Sequence, residues 1–234
     1  MRQFLRTVCG GLVWLCAGLA QAGPGYYLLT PYATPGETAL DLRYWTVKPE
    51  GRRATLWPEL GLRHGVNSRW TTELFASGIG PTLGQQKLSS WNWQNNLMLT
   101  QGQQPYDLAL HLQLIHTPGQ GRALEWGPVW QTDWGVTQLN LNLMFERRWG
   151  RHDDTRVKLQ WQALHRLDRG IRLGLQGFSE LGDWRHGTAT PSHRAGPVLR
   201  LGLWDPLELQ AAYLWGKVFG ARAAMFSAQV LVRF

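Results

Sequence analysis

The chain has 234 residues, of which 24 are basic and 16 acidic, with 14 tryptophans, 27 glycines and only 2 cysteines. Its 44% hydrophobic and 12% aromatic content can bury a large surface, which excludes a disordered chain. The mean hydropathy is too low for a bundle of membrane helices, each of which needs about 20 consecutive apolar residues. The composition therefore favours a single all-β domain of about 210 residues, built as a sandwich or a barrel.

The start of the chain has the three parts of a secretory signal peptide. Arg2 and Arg6 supply the positive charge, an apolar run follows at 8–19, and the small residues Ala20 and Ala22 form a cleavage site. We expect export and cleavage after Ala22. A lipid anchor is disfavoured because the residues before Cys16 are large.

Cleavage changes the chemistry of the mature chain. Cys9 and Cys16 are both removed, so neither disulfides nor thiolate ligands are available. The prediction for the domains is a signal peptide at 1–22, a periplasmic segment at 23–36 and a β-barrel at 37–234.

The period of the mature sequence is two. In 106–116 apolar and polar residues alternate, and 138–146, 156–163 and 171–176 repeat the pattern. Side chains of a strand point alternately to its two faces, so each segment is predicted to be a strand with one apolar and one polar face. Twelve such strands are predicted, at 37–47, 54–64, 69–78, 90–101, 106–116, 123–133, 137–148, 155–165, 170–180, 195–204, 207–216 and 223–234.

Three features favour a transmembrane antiparallel up-and-down barrel over a periplasmic sandwich. The segments are near the 9–11 residues of a tilted transmembrane strand. Outer-face aromatic residues gather near segment ends, as in the aromatic girdles of outer-membrane barrels. These are Trp70, Trp91, Trp93, Tyr106, Trp126, Trp134, Tyr213 and Trp215. The chain also ends on Phe234, which resembles the C-terminal signature that the barrel assembly machinery reads.

The connections are predicted to alternate in length, as short periplasmic turns and longer external loops do. The longer ones are expected at 49–53, 79–89, 117–122, 149–154, 181–194 and 217–222. An even strand number places both termini on the periplasmic side. The predicted location is the outer membrane of a Gram-negative bacterium.

The polar face carries nine basic and nine acidic residues. Paired charges could close the lumen as a satisfied polar core, or they could line a water-filled channel. Inward glycines at 61, 127, 174, 202 and 216 would leave space and favour a narrow channel. The residues proposed to line the lumen and set selectivity are Arg63, Glu73, His111, Glu146, Arg148, Arg156, Lys158, Arg172 and Arg200.

The six longer connections and their edges hold ten basic and four acidic residues. A basic mouth could concentrate a small anionic solute ahead of a pore. Alternatively, the charges neutralise the phosphates of surrounding lipid and lipopolysaccharide, or bind a partner. The predicted external basic patch is Lys48, Arg52, Arg53, Arg122, Arg151, Arg185, Arg194, Lys217 and Arg222.

Catalytic and cofactor motifs are weak. No histidine has a serine two residues away, which is the spacing of strand-mounted lipid hydrolases. The tripeptide His152-Asp153-Asp154 is the best candidate for a surface protease, and an exposed turn explains it as well. We predict no enzyme, no metal site, no cofactor and no nucleic-acid partner.

The hairpin pattern at 58–70, with Gly-Pro-Val at 127–129 and 196–198, resembles a group of proteobacterial outer-membrane barrels. These are poorly characterised proteins described as transporter-like or linked to phenol-degradation pathways. The resemblance implies a barrel with its N-terminus on the inner side and no enzyme activity. The strand count also resembles twelve-stranded porins for acidic oligosaccharides, whose lumens are strongly basic, unlike the balanced lumen predicted here.

Two functions follow, and a third, a surface lipid hydrolase or protease, is disfavoured because its motifs are weak. The first is a small passive channel for small polar or anionic solutes. The second is a closed structural or interaction barrel whose basic external loops bind lipopolysaccharide or a partner.

Overall fold

The computed structural model describes residues 26–150, 155–188, 190 and 192–234. These residues form twelve strands and no helix that is long and apolar enough to cross a membrane. The strands are β1 Thr38–Pro49, β2 Thr55–Gly65, β3 Trp70–Ile79, β4 Lys87–Met98, β5 Asp107–Thr117, β6 Gly121–Trp134, β7 Thr137–Arg148, β8 Arg156–Asp168, β9 Ile171–Asp183, β10 Ser192–Trp204, β11 Leu207–Val218 and β12 Ala221–Arg233.

The strands close into an antiparallel barrel in which each pairs with its neighbours along the chain. β1 completes the ring, because Ala39 pairs with Arg63 on β2 and with Arg233 on β12. Closure leaves no strand edge with unpaired backbone groups. The end where β1 begins and β12 ends is called the proximal end below, and the opposite end the distal end.

The period of two explains which residues face the lumen. On β1 the side chains of Asp41, Arg43 and Trp45 are buried inside the barrel, whereas Leu42 between them is 40% exposed on the outer wall. The outer wall is therefore apolar and the inner wall polar. Exposed outward aromatics cluster toward the two ends, with Trp91 and Trp215 distal and Trp134 and Trp204 proximal.

The predicted fold class and the twelve strands are confirmed, and every observed strand end lies within three residues of its prediction. The division into short and long connections is partly wrong. The distal connection predicted at 217–222 is a tight turn of Phe219 and Gly220, because β11 and β12 continue to meet it. The proximal connection between β4 and β5 is longer than predicted, spanning 99–106.

The largest difference between prediction and structure lies in the segment that precedes β1, which the sequence predicts as a periplasmic segment at 23–36. Its described residues from Tyr26 to Thr34 run along the inside of the barrel, and we call residues 26–34 the lumenal segment. Tyr26 is buried in the distal half, and the segment returns to the proximal end, where the Gly36 amide donates to the Gly65 carbonyl (2.7 Å). Twelve strands enclose more space than the wall side chains fill, and the segment occupies it.

The β11–β12 turn gives a test of local backbone strain. Phe219 has φ 47° and Gly220 has φ 83°, which is the left-handed pair of a type I′ turn. A residue with a Cβ pays about 1–2 kcal/mol there, whereas Asn tolerates it. We expect Phe219→Asn to raise the free energy of unfolding by about 1 kcal/mol in urea titrations followed by tryptophan fluorescence. Phe219→Ala keeps the unfavourable φ and should not raise the free energy of unfolding. Equal stabilisation by the Asn and Ala variants would contradict relief of backbone strain as the cause.

Candidate functional site in the barrel lumen

A buried ion network joins β1, β2 and β3 on the inner wall. Arg43 lies at its centre: its Nη2 is 2.8 Å from Asp41 Oδ2 and 2.5 Å from Glu73 Oε1, and its Nη1 is 3.8 Å from Glu59 Oε2. Arg63 reaches Asp41 (2.6 Å) and Glu73 (3.2 Å). Three carboxylates thus share two guanidinium groups, and the pairing compensates charges that would be costly to bury alone.

A second network lies across β5 to β8. Lys158 Nζ is 2.8 Å from Glu125 Oε2 and 2.7 Å from Glu146 Oε2. His111 is fully buried, with Nδ1 at 2.9 Å from Asn96 Oδ1 and Nε2 at 3.6 Å from Glu125 Oε1. The two networks bind the wall together on either side of the lumen.

An apolar layer crosses the lumen obliquely, from the distal parts of β1, β2 and β12 to Leu164 in the proximal half of β8. Trp45 stacks on Trp57 with ring centroids 4.1 Å apart and planes 5° from parallel. Tyr26 of the lumenal segment meets Trp45 edge to face at 4.7 Å, so the segment completes the layer. Its buried members are Tyr26, Trp45, Val47, Trp57, Leu164, Phe178, Val198, Ala212, Leu214, Ala223 and Met225. We call this set the distal seal.

Tyr26 also joins a polar group near the distal ends of β9 and β10. Its phenol donates to Glu180 Oε1, and the Arg194 guanidinium carbon lies 4.4 Å from its ring centroid. Arg194 Nη2 is itself 3.4 Å from Glu180 Oε1. Burial raises the pKa of Tyr26 well above its usual range, so the phenol keeps the proton that it donates.

Further along, the lumenal segment contacts the wall formed by β3 to β7. The Tyr27 hydroxyl donates to Gln94 Oε1 (2.5 Å), and the Arg43 guanidinium carbon lies 3.9 Å from its ring centroid. Leu29 packs in a second apolar cluster with Ala109, Val129 and Met144. Near the proximal end Tyr32 donates to Asp107 Oδ2 (2.9 Å). The segment is therefore held along its length: Tyr26 contacts β9 and β10, and the residues after it contact mainly the β3 to β7 side of the lumen.

The other side of the lumen retains a cavity of about 220 Å³. It lies between the lumenal segment and the wall of β8, β10 to β12 and β1 to β4, and reaches the proximal end. On β1 and β2 the distal seal members Trp45 and Trp57 lie between the cavity and the opposite end. Its polar lining includes Glu37, Arg63, Asn96, Gln162, Arg200, Glu208, Gln210, Gln229 and Arg233.

The predicted lumen residues fall into three groups. Glu73, His111, Glu146 and Lys158 are held in the buried networks, whereas Arg63 and Arg200 line the cavity. Arg148, Arg156 and Arg172 are half-buried on inner-facing positions of β7, β8 and β9. Their roles in selectivity stay predictions.

The predicted external patch needs one correction. Arg194 is not in an external loop: β10 begins at Ser192, so Arg194 faces the lumen, is 2% exposed and pairs with Glu180. Arg151 and the tripeptide at 152–154 lie outside the described residues. The other predicted members are exposed at the distal end: Lys48, Arg52, Arg53, Arg122, Arg185, Lys217 and Arg222.

The prediction that inward glycines leave open space is wrong for most of them. The space beside Gly61 is filled by the Glu73 carboxylate. At Gly127, Gly174 and Gly216 a Cβ would collide with the backbone of the adjacent strand. These glycines permit close approach of strands, and they do not widen a pore.

In the described part of the chain no group of three or more His, Cys, Asp or Glu side chains is placed to hold a metal ion.

No family model and no curated protein matches the chain. The fold is similar to two solved bacterial barrels. One is the NanC porin, with TM-score 0.62, 11% identity and coverage of 83% of this chain and 100% of that one. The other is an outer membrane channel from Pseudomonas putida, with TM-score 0.66, 12% identity and coverage of 92% and 100%.

Arg43 gives a test of the inner-wall network. Replacing it by Gln leaves Asp41, Glu59 and Glu73 with only Arg63 as a cation, and we expect a loss of about 3–5 kcal/mol in unfolding free energy. Urea titration of the refolded barrel measures this. Arg233→Gln is the control, because that side chain is 29% exposed and its loss should cost about 1 kcal/mol or less. Similar losses of stability in Arg43→Gln and Arg233→Gln would contradict the proposed importance of the network. In the Arg43→Gln background, Glu59→Gln should partly restore stability, because it removes one of the carboxylates that lost its cation.

Proposed function

We propose that the protein is an outer-membrane channel for small polar or anionic solutes, closed in the arrangement described above. The observation that carries the proposal is that the lumen is partly filled by a chain segment that is not part of the wall. A wall of twelve strands surrounds the segment, and a polar cavity remains beside it. Displacement of the segment would extend that cavity along the barrel axis.

The distal seal would act as the barrier of this channel. Hydrophobic constrictions can close a pore to water and ions without filling it completely. Tyr26 is the member of the distal seal that belongs to the lumenal segment, so movement of the segment would take a large aromatic ring out of the layer. The wall members, such as Trp45 and Trp57, would then line a wider passage.

The same seal supports a second candidate function. A barrel whose lumen is crossed by an apolar layer can serve as a closed scaffold, with its activity on the outside. The seven exposed residues of the predicted basic patch would then bind the phosphates of lipopolysaccharide or an acidic partner. Conductance after removal of the lumenal segment separates the two candidates.

Deletion of residues 23–33 tests the channel directly. Planar-bilayer recordings of the refolded mature chain should show a closed or rarely open barrel, and the deletion variant should show frequent discrete steps. The double variant Tyr26→Ala/Tyr27→Ala should increase the open fraction as well, because it removes the Glu180 and Gln94 hydrogen bonds and the aromatic contacts. Tyr213→Ala, an outward aromatic substitution, is the control.

Silence from both lumenal variants, in samples that still run as heat-modifiable barrels, would overturn the channel proposal. The closed scaffold would then become the better explanation. Open currents of equal size from the mature chain and the deletion variant would show that the segment does not close the lumen.

The proposed membrane location rests on the apolar outer wall and its aromatic ends. Leu60 is 52% exposed at an outward position in the middle of β2. If this face lies in hydrocarbon, Leu60→Arg should cost about 2–4 kcal/mol of folding free energy in phospholipid vesicles. Leu60→Ala controls for lost packing. A barrel that folds equally well in vesicles with arginine at this position would contradict a membrane-spanning wall.

A further inference from the structure

Three arginines occupy directly opposed inner-facing positions on neighbouring strands near the proximal end. Arg166 on β8 pairs with Arg172 on β9, and Arg172 pairs with Arg200 on β10. Residues opposed in this way have Cβ atoms about 4.5–5.5 Å apart, and like charges there repel. We call Arg166, Arg172 and Arg200 the arginine row.

The carboxylates nearby do not balance this charge. Arg200 Nη2 lies 2.7 Å from Glu208 Oε1, but the other oxygen of Glu208 is 3.0 Å from Arg233. Arg172 donates to Gln138, a neutral acceptor. Among the described residues no carboxylate forms an ion pair within 4.0 Å with the Arg166 or Arg172 guanidinium, since Glu208 pairs with Arg200 and Arg233. The row therefore differs from the two compensated networks deeper in the lumen.

The row is open to the proximal end. Arg166 is exposed and Arg172 half-buried, and Arg200 lines the polar cavity of about 220 Å³. The lumenal segment lies against β3 to β7 and leaves this side of the lumen free. A solute from the proximal side can reach the row without any movement of the distal seal.

We propose that the arginine row binds a soluble oxyanion, namely the carboxylate or phosphate group of a small solute. Binding to the row does not require that the barrel conducts. The inference rests on the proposed channel only where it names the class of solute that the channel would carry. A guanidinium group offers parallel N–H donors that match the two oxygens of a carboxylate or phosphate. An oxyanion between adjacent guanidinium groups would also replace their mutual repulsion by attraction. The inner-facing position excludes membrane lipid, and the cavity volume excludes polymers.

Inorganic phosphate and succinate are suitable probes, used on the refolded mature chain in detergent. The midpoint temperature of thermal unfolding is measured against probe concentration, with sodium chloride holding the ionic strength constant. Both probes should raise the midpoint in a saturable manner. In the double variant Arg166→Gln/Arg172→Gln the apparent affinity should fall at least about tenfold, since each lost charge-assisted hydrogen bond is worth roughly that factor.

Arg222→Gln is the matched control, because it removes a basic residue that is exposed on the outer face of the distal end. It should leave the probe affinity unchanged. A second readout separates ligand binding from a structural role. Without probe, the double variant should unfold at a higher temperature than the parent chain, because two repelling charges are gone; a structural role would lower that temperature.

The inference is overturned if the probes stabilise the parent chain and the double variant equally, or if chloride at the same ionic strength does as well. A lower midpoint of the double variant without probe also overturns it. Binding takes place in the closed barrel, so it can be found where the deletion variant conducts no current. In that case the channel proposal fails and the binding site stands. If the deletion variant conducts current but no saturable binding is found, the channel proposal stands and the binding site fails.

Discussion

The neutralisation of charge inside a narrow closed wall governs the rest of this structure. The alternation of β-strands places half of the residues in the lumen, and here many of these are ionised. A lumen partly filled by protein cannot hydrate them all, so each buried charge needs an opposite charge or a hydrogen bond close by. Arg43 shows the result, with three carboxylates and the face of Tyr27 around one guanidinium group. These ion pairs connect β1, β2 and β3 on the inner wall. Lys158 connects β8 to β6 and β7 through Glu125 and Glu146, and His111 of β5 lies beside Glu125.

The lumenal segment follows from the same constraint and from the width of the barrel. Twelve strands enclose more space than their inward side chains fill. Water in that space would expose the apolar rings of Trp45, Trp57 and Phe178, which is unfavourable. Tyr26 and Leu29 cover apolar patches of the wall, while the hydroxyl groups of Tyr27 and Tyr32 satisfy amide and carboxylate oxygens. The segment thus supplies apolar and polar contacts at the depths where the wall requires each.

The sequence predicts the wall well because the period of two is a strong and repeated signal. The strand at 137–148 coincides with the observed β7, and the inward charges from Arg63 to Arg200 fall on the predicted face. The lumenal segment could not be predicted in this way, because residues 26–34 have no period and their partners are as distant as Glu180 and Arg194. The adjacent aromatics Tyr26 and Tyr27, just after the predicted signal peptide, are the available clue. Arg194 was misplaced for a related reason, since the alternation fades at strand ends and Ser192 and His193 look like loop residues.

The two halves of the lumen are chemically different, and this separates closure from solute recognition. The distal seal depends on contacts between Tyr26 and apolar wall residues. The arginine row makes its described hydrogen bonds and ion pairs with the wall residues Gln138 and Glu208, and none with the lumenal segment. A ligand shifts a conformational equilibrium only by its difference in affinity for the two states. An oxyanion that contacts only the wall has little such difference, so it would occupy the row without opening the seal. In the proposed channel, the force that opens the barrel would have to act on the lumenal segment itself, through the distal contacts of Tyr26 or the proximal contacts of Tyr32.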